Sequence, residues 1–392
     1  MGISTFSLLM LAAFSASLGL AVITPFLPEL ASAHAGNGFW IGMIFAGFGI
    51  SRGIITPFIG RVSDKIGRKI FVVTGLFIYG VASYLYSVAE ESVYFLTLVR
   101  LIHGLSAGMI LPIVMAYIGE LSRKGTAGLT TGALNTVVYL GIAAGPLIGG
   151  EIAERFGFDA VFYTIAALGF ITLLLVMFFL PDAKSCAEKK PPHRAPFNIL
   201  IKYNYIKAVL IMTFISVALS AVFISFLPSE GIKDSLDMIH IGFIISVAIF
   251  LAGLLQIPFG KLADRYGNPG KLLQSSLGIA VSMIALIILP FCPDYRALFL
   301  TGCLMGLGIA INAPALSSIS VNIGEETGMG MWMGIFWAVM SAALVIAPIA
   351  AGIIMDHLGV DSVFYSFGIL AFFFILLSSY YILKNKGNDS LI

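Results

Sequence analysis

The chain has 392 residues, of which 59% are hydrophobic and 11% charged, with a formal net charge of +2 and a mean hydropathy of +1.01. A soluble globular domain carries about 25% charged residues, so the charge that a wetted surface requires is missing. The useful unit is therefore not a soluble domain but an apolar span of about 20 residues, the length that crosses a bilayer core as a helix.

Segments such as 8–27, 165–180 and 369–383 are apolar almost continuously. A transmembrane barrel strand would alternate apolar and polar positions over about ten residues, so the pattern is helical. Taken in order, the sequence predicts spans at 5–29, 39–59, 71–89, 93–118, 128–150, 160–180, 206–228, 239–259, 272–290, 296–320, 330–353 and 362–383. The first has no basic leader and too long an apolar run for a signal peptide, so it reads as a membrane helix. The polar, basic, proline-bearing stretch 183–205 reads as a cytoplasmic linker between bundles at 1–182 and 206–392. With the N-terminus placed in the cytoplasm, seventeen of the 22 Lys and Arg fall on that side and three (Arg155, Lys233, Arg296) on the other. That bias predicts cytoplasmic N- and C-termini in a cell membrane, plasma or inner.

The two bundles repeat one another at an offset drifting only from 200 to 204 residues. Phe26-Leu27-Pro28 recurs as Phe226-Leu227-Pro228, Gly42 as Gly242, Asp64 as Asp264, and Pro146 with Gly150 as Pro348 with Gly352. A repeat that restarts after six spans keeps its orientation, so the expected fold class is all-α integral membrane: twelve helices in two parallel six-helix repeats. Parallel repeats around a midplane site are a transporter architecture.

Four motifs follow in chain order. Thr24-Pro25-Phe26-Leu27-Pro28 closes the first span. The loop after the second span carries Gly60, Asp64, Gly67 and Arg68 in GRVSDKIGRK, and its second copy carries Asp264 and Arg265 in GKLADRYGNPGK. Glycine there permits a tight turn, and the aspartate suits a helix N-terminus or an arginine. The fourth span contains Arg100, His103 and Gly104 in RLIHGLSA, and the fifth contains GIAAGPLIGG with Gly141, Gly145, Pro146, Gly149 and Gly150.

On these motifs the chain resembles the major facilitator superfamily over its whole length, and the fifth-span motif resembles that of its twelve-helix drug/proton antiporter branch. The resemblance implies alternating access, with Gly60, Asp64, Gly67, Arg68, Asp264 and Arg265 serving a conformational latch. It departs from the branch in having no acid inside the first span; Glu29 and Glu230 are expected at the interface.

Ionisable groups inside a membrane are costly and mark functional sites. The embedded set is basic or neutral: Arg52, Arg100, His103, Asn135, Tyr139, Gln256 and Asn312. The repeat mates of Arg52 and Arg100 are Ala252 and Leu304, so the charge belongs to the first repeat alone. With Trp337, this set is the expected substrate and coupling site, attractive to an anion or a polar lipid headgroup; Phe223, Phe226, Trp332 and Phe336 read first as packing or interfacial-belt residues and otherwise as the facing cavity wall. His103 reads equally as a carrier of a coupling proton or as a hydrogen-bonded structural histidine; the alternatives are coupling through Glu29 or no coupling.

Scattered histidines and three unclustered cysteines give no catalytic pair and no metal site. The chain is therefore expected not to be an enzyme, to need no cofactor beyond a proton gradient, to act as a monomer in lipid and to bind no nucleic acid. Efflux of a small amphipathic or anionic organic compound fits best. Uptake or uniport of an organic anion, or movement of a lipid-like substrate, is the alternative.

Overall fold

The computed structural model describes residues 3–33, 37–89, 92–121, 127–181, 203–233, 236–265, 267–292, 294–327 and 329–384. Among these residues there is helix and no strand. The first span is α1 (Ile3–Ile23), a 3-10 turn (Thr24–Phe26) and α2 (Leu27–Ala33). The break falls at Pro25 and Pro28, which remove two backbone donors and each sit in the first turn of the element they open. The other spans are α3 (Gly38–Ile66), α4 (Lys69–Val88), α5 (Val93–Leu121), α6 (Ala127–Phe156), α7 (Phe158–Phe179), α8 (Asn204–Lys233), α9 (Met238–Asp264), α10 (Asn268–Ile288), α11 (Tyr295–Thr327), α12 (Met329–Leu358) and α13 (Val360–Lys384).

Twelve of these stretches are long and apolar enough to cross a membrane, as the sequence predicts. Several helices outrun their apolar part. The apolar run of α3 ends at Thr56, yet the helix continues through Pro57 to Ile66 and ends at Gly67. Asn204 and Tyr205, expected in the linker, already belong to α8, and the rest of that linker up to residue 202 lies outside the described residues.

A large apolar surface faces outward, including Ile54, Phe58, Phe178, Phe179, Leu300 and Phe373. In water such a patch would be an aggregation liability; in a bilayer it is the lipid-facing belt. The buried interior is also apolar, so helices meet through small residues that let backbones approach.

Two crossings join the repeats, α3 with α12 and α6 with α9. At the first, a Cβ on Gly42 would strike the Pro348 carbonyl. At the second, a Cβ on Gly242 would strike the Pro146 carbonyl. These pairs are repeat mates, so the two crossings are related by the internal symmetry. Both lie toward the end of the molecule that holds Asn37 and Asp356.

Candidate functional site between the repeats

The α3–α12 contact starts at the Asp356 end. Asp356 Oδ1 accepts from the Gly38 N–H at 2.5 Å, and Oδ2 accepts from the Phe39 N–H at 2.8 Å. A carboxylate of the second repeat thus caps the positive end of a helix in the first. The contact continues through Gly352 against Gly38, Gly49 against Leu344 and Val345, and Gly53 against Ser341. It runs out at Trp337, which is 43% exposed.

Arg52 sits at that limit. One strip of α3 (Gly42, Gly49, Gly53) meets α12 and another (Gly47, Gly104's neighbour Ser51) meets α5. Arg52 lies on the face of α3 between them, turned from the exposed Ile54 toward the other repeat, where it meets Trp337. Its guanidinium carbon lies 5.5 Å from the Trp337 ring centroid and 6.0 Å from that of Phe48. Among the described residues, no carboxylate forms an ion pair with it. Arg52 and Trp337, expected separately, meet across the repeats.

Tyr139 of α6 and Gln256 of α9 meet at the other crossing between the repeats. Their side chains interact, and Gly253 admits the tyrosine, whose Cβ a glycine Cβ would approach to 3.1 Å. Nearer the Asp356 end, the proline-disturbed ladder of α6 lets the Leu147 N–H donate to Ser246 Oγ at 3.1 Å.

Arg100 and His103 are placed differently. They are 2% and 0% exposed, inside the first repeat. The Arg100 guanidinium carbon lies 5.5 Å from the Phe45 ring and 5.4 Å from the Phe48 ring, so Phe48 separates the two arginines. Arg100 Nε and Nη1 and His103 Nε2 have no hydrogen-bond partner. Tyr86 Oη is 3.3 Å from His103 Nδ1, and Tyr79, Tyr86 and Phe48 wall the imidazole in.

Asn312 is 1% exposed and satisfied within the second repeat. Its Oδ1 accepts from Ser216 Oγ at 2.7 Å, and its Nδ2 donates to the Gly308 carbonyl at 2.9 Å. This geometry is a brace between α8 and α11. Phe223, Phe226 and Trp332 are likewise core residues rather than cavity lining.

The glycines of the α6 motif pack the first repeat together. Gly141 lies against Phe14 and Ser17, Gly145 against Ala21, and Gly149 against Val22 and Phe26, all on the first span. Gly150 is buried as well. Pro146 and Leu147 of the motif turn to the other repeat, the first against Gly242 and the second through its N–H to Ser246.

Of the latch set, Gly67 has φ 111°, which ends α3 and favours glycine; its N–H donates to the Ser63 carbonyl. Arg68 is buried and Arg265 exposed. The second copy turns differently: Gly267 has φ −66° and is followed at once by α10, opening on Asn268-Pro269. The side chains of Asp64, Asp264, Asn135 and Glu29, and any contact of Gly60, lie outside the described residues.

One residue was misjudged from sequence. Glu230 does not lie past the seventh span: it sits in the last turns of α8, which runs on to Lys233, and is 2% exposed. It is the single carboxylate among the buried described side chains. The signal was present, since Phe226-Leu227-Pro228-Ser229-Glu230 is the repeat of the proline-broken end of the first span.

The family model of the Major Facilitator Superfamily matches residues 9–229 and again 209–391, nearly the whole chain in two overlapping stretches. The chain belongs to that superfamily. It is similar to an uncharacterised MFS-type transporter of Methanocaldococcus jannaschii, 26% identical over 90% of this chain and 91% of the relative. The quinolone resistance protein NorA of Staphylococcus aureus is 28% identical over 86% of this chain and 87% of NorA. Among solved structures, a bacterial homologue of the human lysosomal transporter Spinster superposes with a TM-score of 0.83 at 13% identity, covering 98% of each chain. The human organic anion transporter MFSD10 gives 0.68 at 18% identity, covering 96% of this chain and all of the other. At such identities these likenesses establish the fold, and the curated relatives establish a membrane transporter.

Proposed function

We propose that this transporter exports a small amphipathic or anionic organic compound in exchange for protons, from a cell membrane in which both termini are cytoplasmic. The observation that carries the reading is Arg52: a guanidinium between the repeats, held by aromatic faces and, among the described residues, by no carboxylate. Similarity to NorA supports efflux, and so does the complete glycine-proline motif at 141–150. The two bundles, 1–182 and 206–392, rock about the crossings of α3 with α12 and α6 with α9. The Asp356 contacts close the end of the molecule that holds them, and we read this state as the one open to the cytoplasm. Glu230 is the coupling acid in this reading, in preference to Glu29 or His103, because it is the buried carboxyl beside the sealed end. No metal or cofactor takes part.

Inverted vesicles with an imposed pH gradient test it. An exported organic anion or drug dissipates the gradient, and Glu230→Gln uncouples flux from pH while substrate still binds. If a broad panel of such compounds leaves the gradient intact, and flux ignores pH, the proton-antiport reading is wrong.

A further inference from the structure

A lone arginine within a span costs about 2.5–3.5 kcal/mol on insertion scales. A cation–π contact returns only about 0.5–2 kcal/mol. Arg52 is in that position, with Trp337 and Phe48 against its guanidinium and no described carboxylate paired with it. Arg100 lies on another ring contact of the same Phe48 and is enclosed among Phe45 and Tyr86, so it brings a second positive charge and no counter-charge. Among the described residues, nothing compensates the positive field beside Arg52. The indole of Trp337 belongs to the opposite repeat and is still 43% exposed beyond its contact with the guanidinium.

A ligand that satisfies both groups must present an anion to one repeat and a flat apolar ring to the other. Resting on the transport reading above, we infer that Arg52 and Trp337 are the specificity-determining pair for planar aromatic monocarboxylates. In the unloaded state Arg52 rests on the indole. A carboxylate draws the guanidinium into a two-pronged pair, and the freed indole face takes the aromatic ring of the ligand in an offset stack. Recognition then exchanges a direct contact between the repeats for one through the ligand. A neutral ring leaves Arg52 without a counter-charge, and an aromatic cation meets the field of two arginines, so both are selected against.

The probe is 2-naphthoate, with 2-naphthamide as a neutral ring of the same shape and 2-naphthyltrimethylammonium as the cation. Binding to the full chain in nanodiscs is read by calorimetry, and pH-driven flux is read in proteoliposomes. The wild-type protein is expected to prefer naphthoate over naphthamide by at least tenfold and to bind the cation more weakly still. Arg52→Gln brings the naphthoate-to-naphthamide ratio close to one, whereas Arg52→Lys retains a charge and part of the preference. Trp337→Ala weakens both rings about tenfold, and Trp337→Phe restores most of that loss. A wild-type protein without the preference overturns the inference. So does Arg52→Gln that keeps it, with unchanged thermal unfolding showing that the variant is folded. The two readings fail separately. Selective binding of naphthoate that no pH gradient moves would sink proton-coupled export and leave the recognition pair standing. Gradient-driven flux of other compounds with no naphthoate selectivity would do the reverse.

Discussion

Removing the Asp356 carboxylate should loosen the sealed end of the transporter. Its two oxygens accept the Gly38 and Phe39 N–H groups at 2.5 and 2.8 Å, while the α3 cap residue Asn37 accepts from the Trp40 N–H at 3.3 Å. The N-terminus of α3 is therefore satisfied partly from its own repeat and partly from the other. A hydrogen bond to a charged group contributes about 1.5–3 kcal/mol where water is excluded. A carboxylate at an exposed helix N-terminus contributes about 0.3–1 kcal/mol. Asp356 is exposed, so the lower range applies after allowing for solvent screening, about 1 kcal/mol for the pair of bonds. These bonds exist only while the two repeats touch at this end. Asp356→Ala should then shift the equilibrium between sealed and open about fivefold toward open. Asp356→Asn, which keeps one acceptor without the charge, should shift it less.

Spin labels read this directly. Cysteines at Tyr94 and Leu358, both exposed and placed on different repeats near this end, would report the separation by pulsed electron resonance. The native Cys186, Cys292 and Cys303 would first be changed to serine. The reasoning predicts a growing long-distance population in Asp356→Ala. An unchanged distance distribution would refute it and assign the seal to glycine packing alone.

Other outcomes follow from the same geometry. Gly352→Leu places a side chain on the Gly38 carbonyl, so the same spin-label pair should report an open end and transport should fall, with thermal unfolding little changed. Gly67→Ala forces a side chain into φ 111° and should cost about 1 kcal/mol, seen as a lower unfolding temperature. Asn312→Leu breaks the bond to Ser216 and should lower stability by about 1–2 kcal/mol while leaving substrate affinity unchanged; a specific loss of binding in a protein of normal stability would return Asn312 to the substrate site.

Much of the architecture is legible in the sequence because the bilayer imposes it locally. Any segment in lipid must satisfy its own backbone, so twenty apolar residues dictate a helix without reference to the rest of the chain. The repeat needs only comparison of the chain with itself. Gly67 is legible for the same reason, since a tight turn is a property of one residue's φ. The polar residues are less legible. Arg52, Arg100, His103 and Asn312 look alike in sequence, as isolated polar groups in apolar spans. Packing separates them: Arg52 reaches Trp337 of the other repeat, Arg100 and His103 are enclosed behind Phe48, and Asn312 is consumed by Ser216. Glu230 was misplaced because hydropathy falls off before it, although the helix continues to Lys233 and is covered there.

The sequence by itself determined twelve spans, their repetition and the charge bias, since each depends on composition within a short window. Only the tertiary structure decided which residues of the two repeats face each other. The pairing of Arg52 with Trp337, of Tyr139 with Gln256 and of Asp356 with the start of α3 joins positions far apart in the chain. Those partners are fixed by how closely glycine-lined helices can approach, which is a property of two surfaces and of neither one alone.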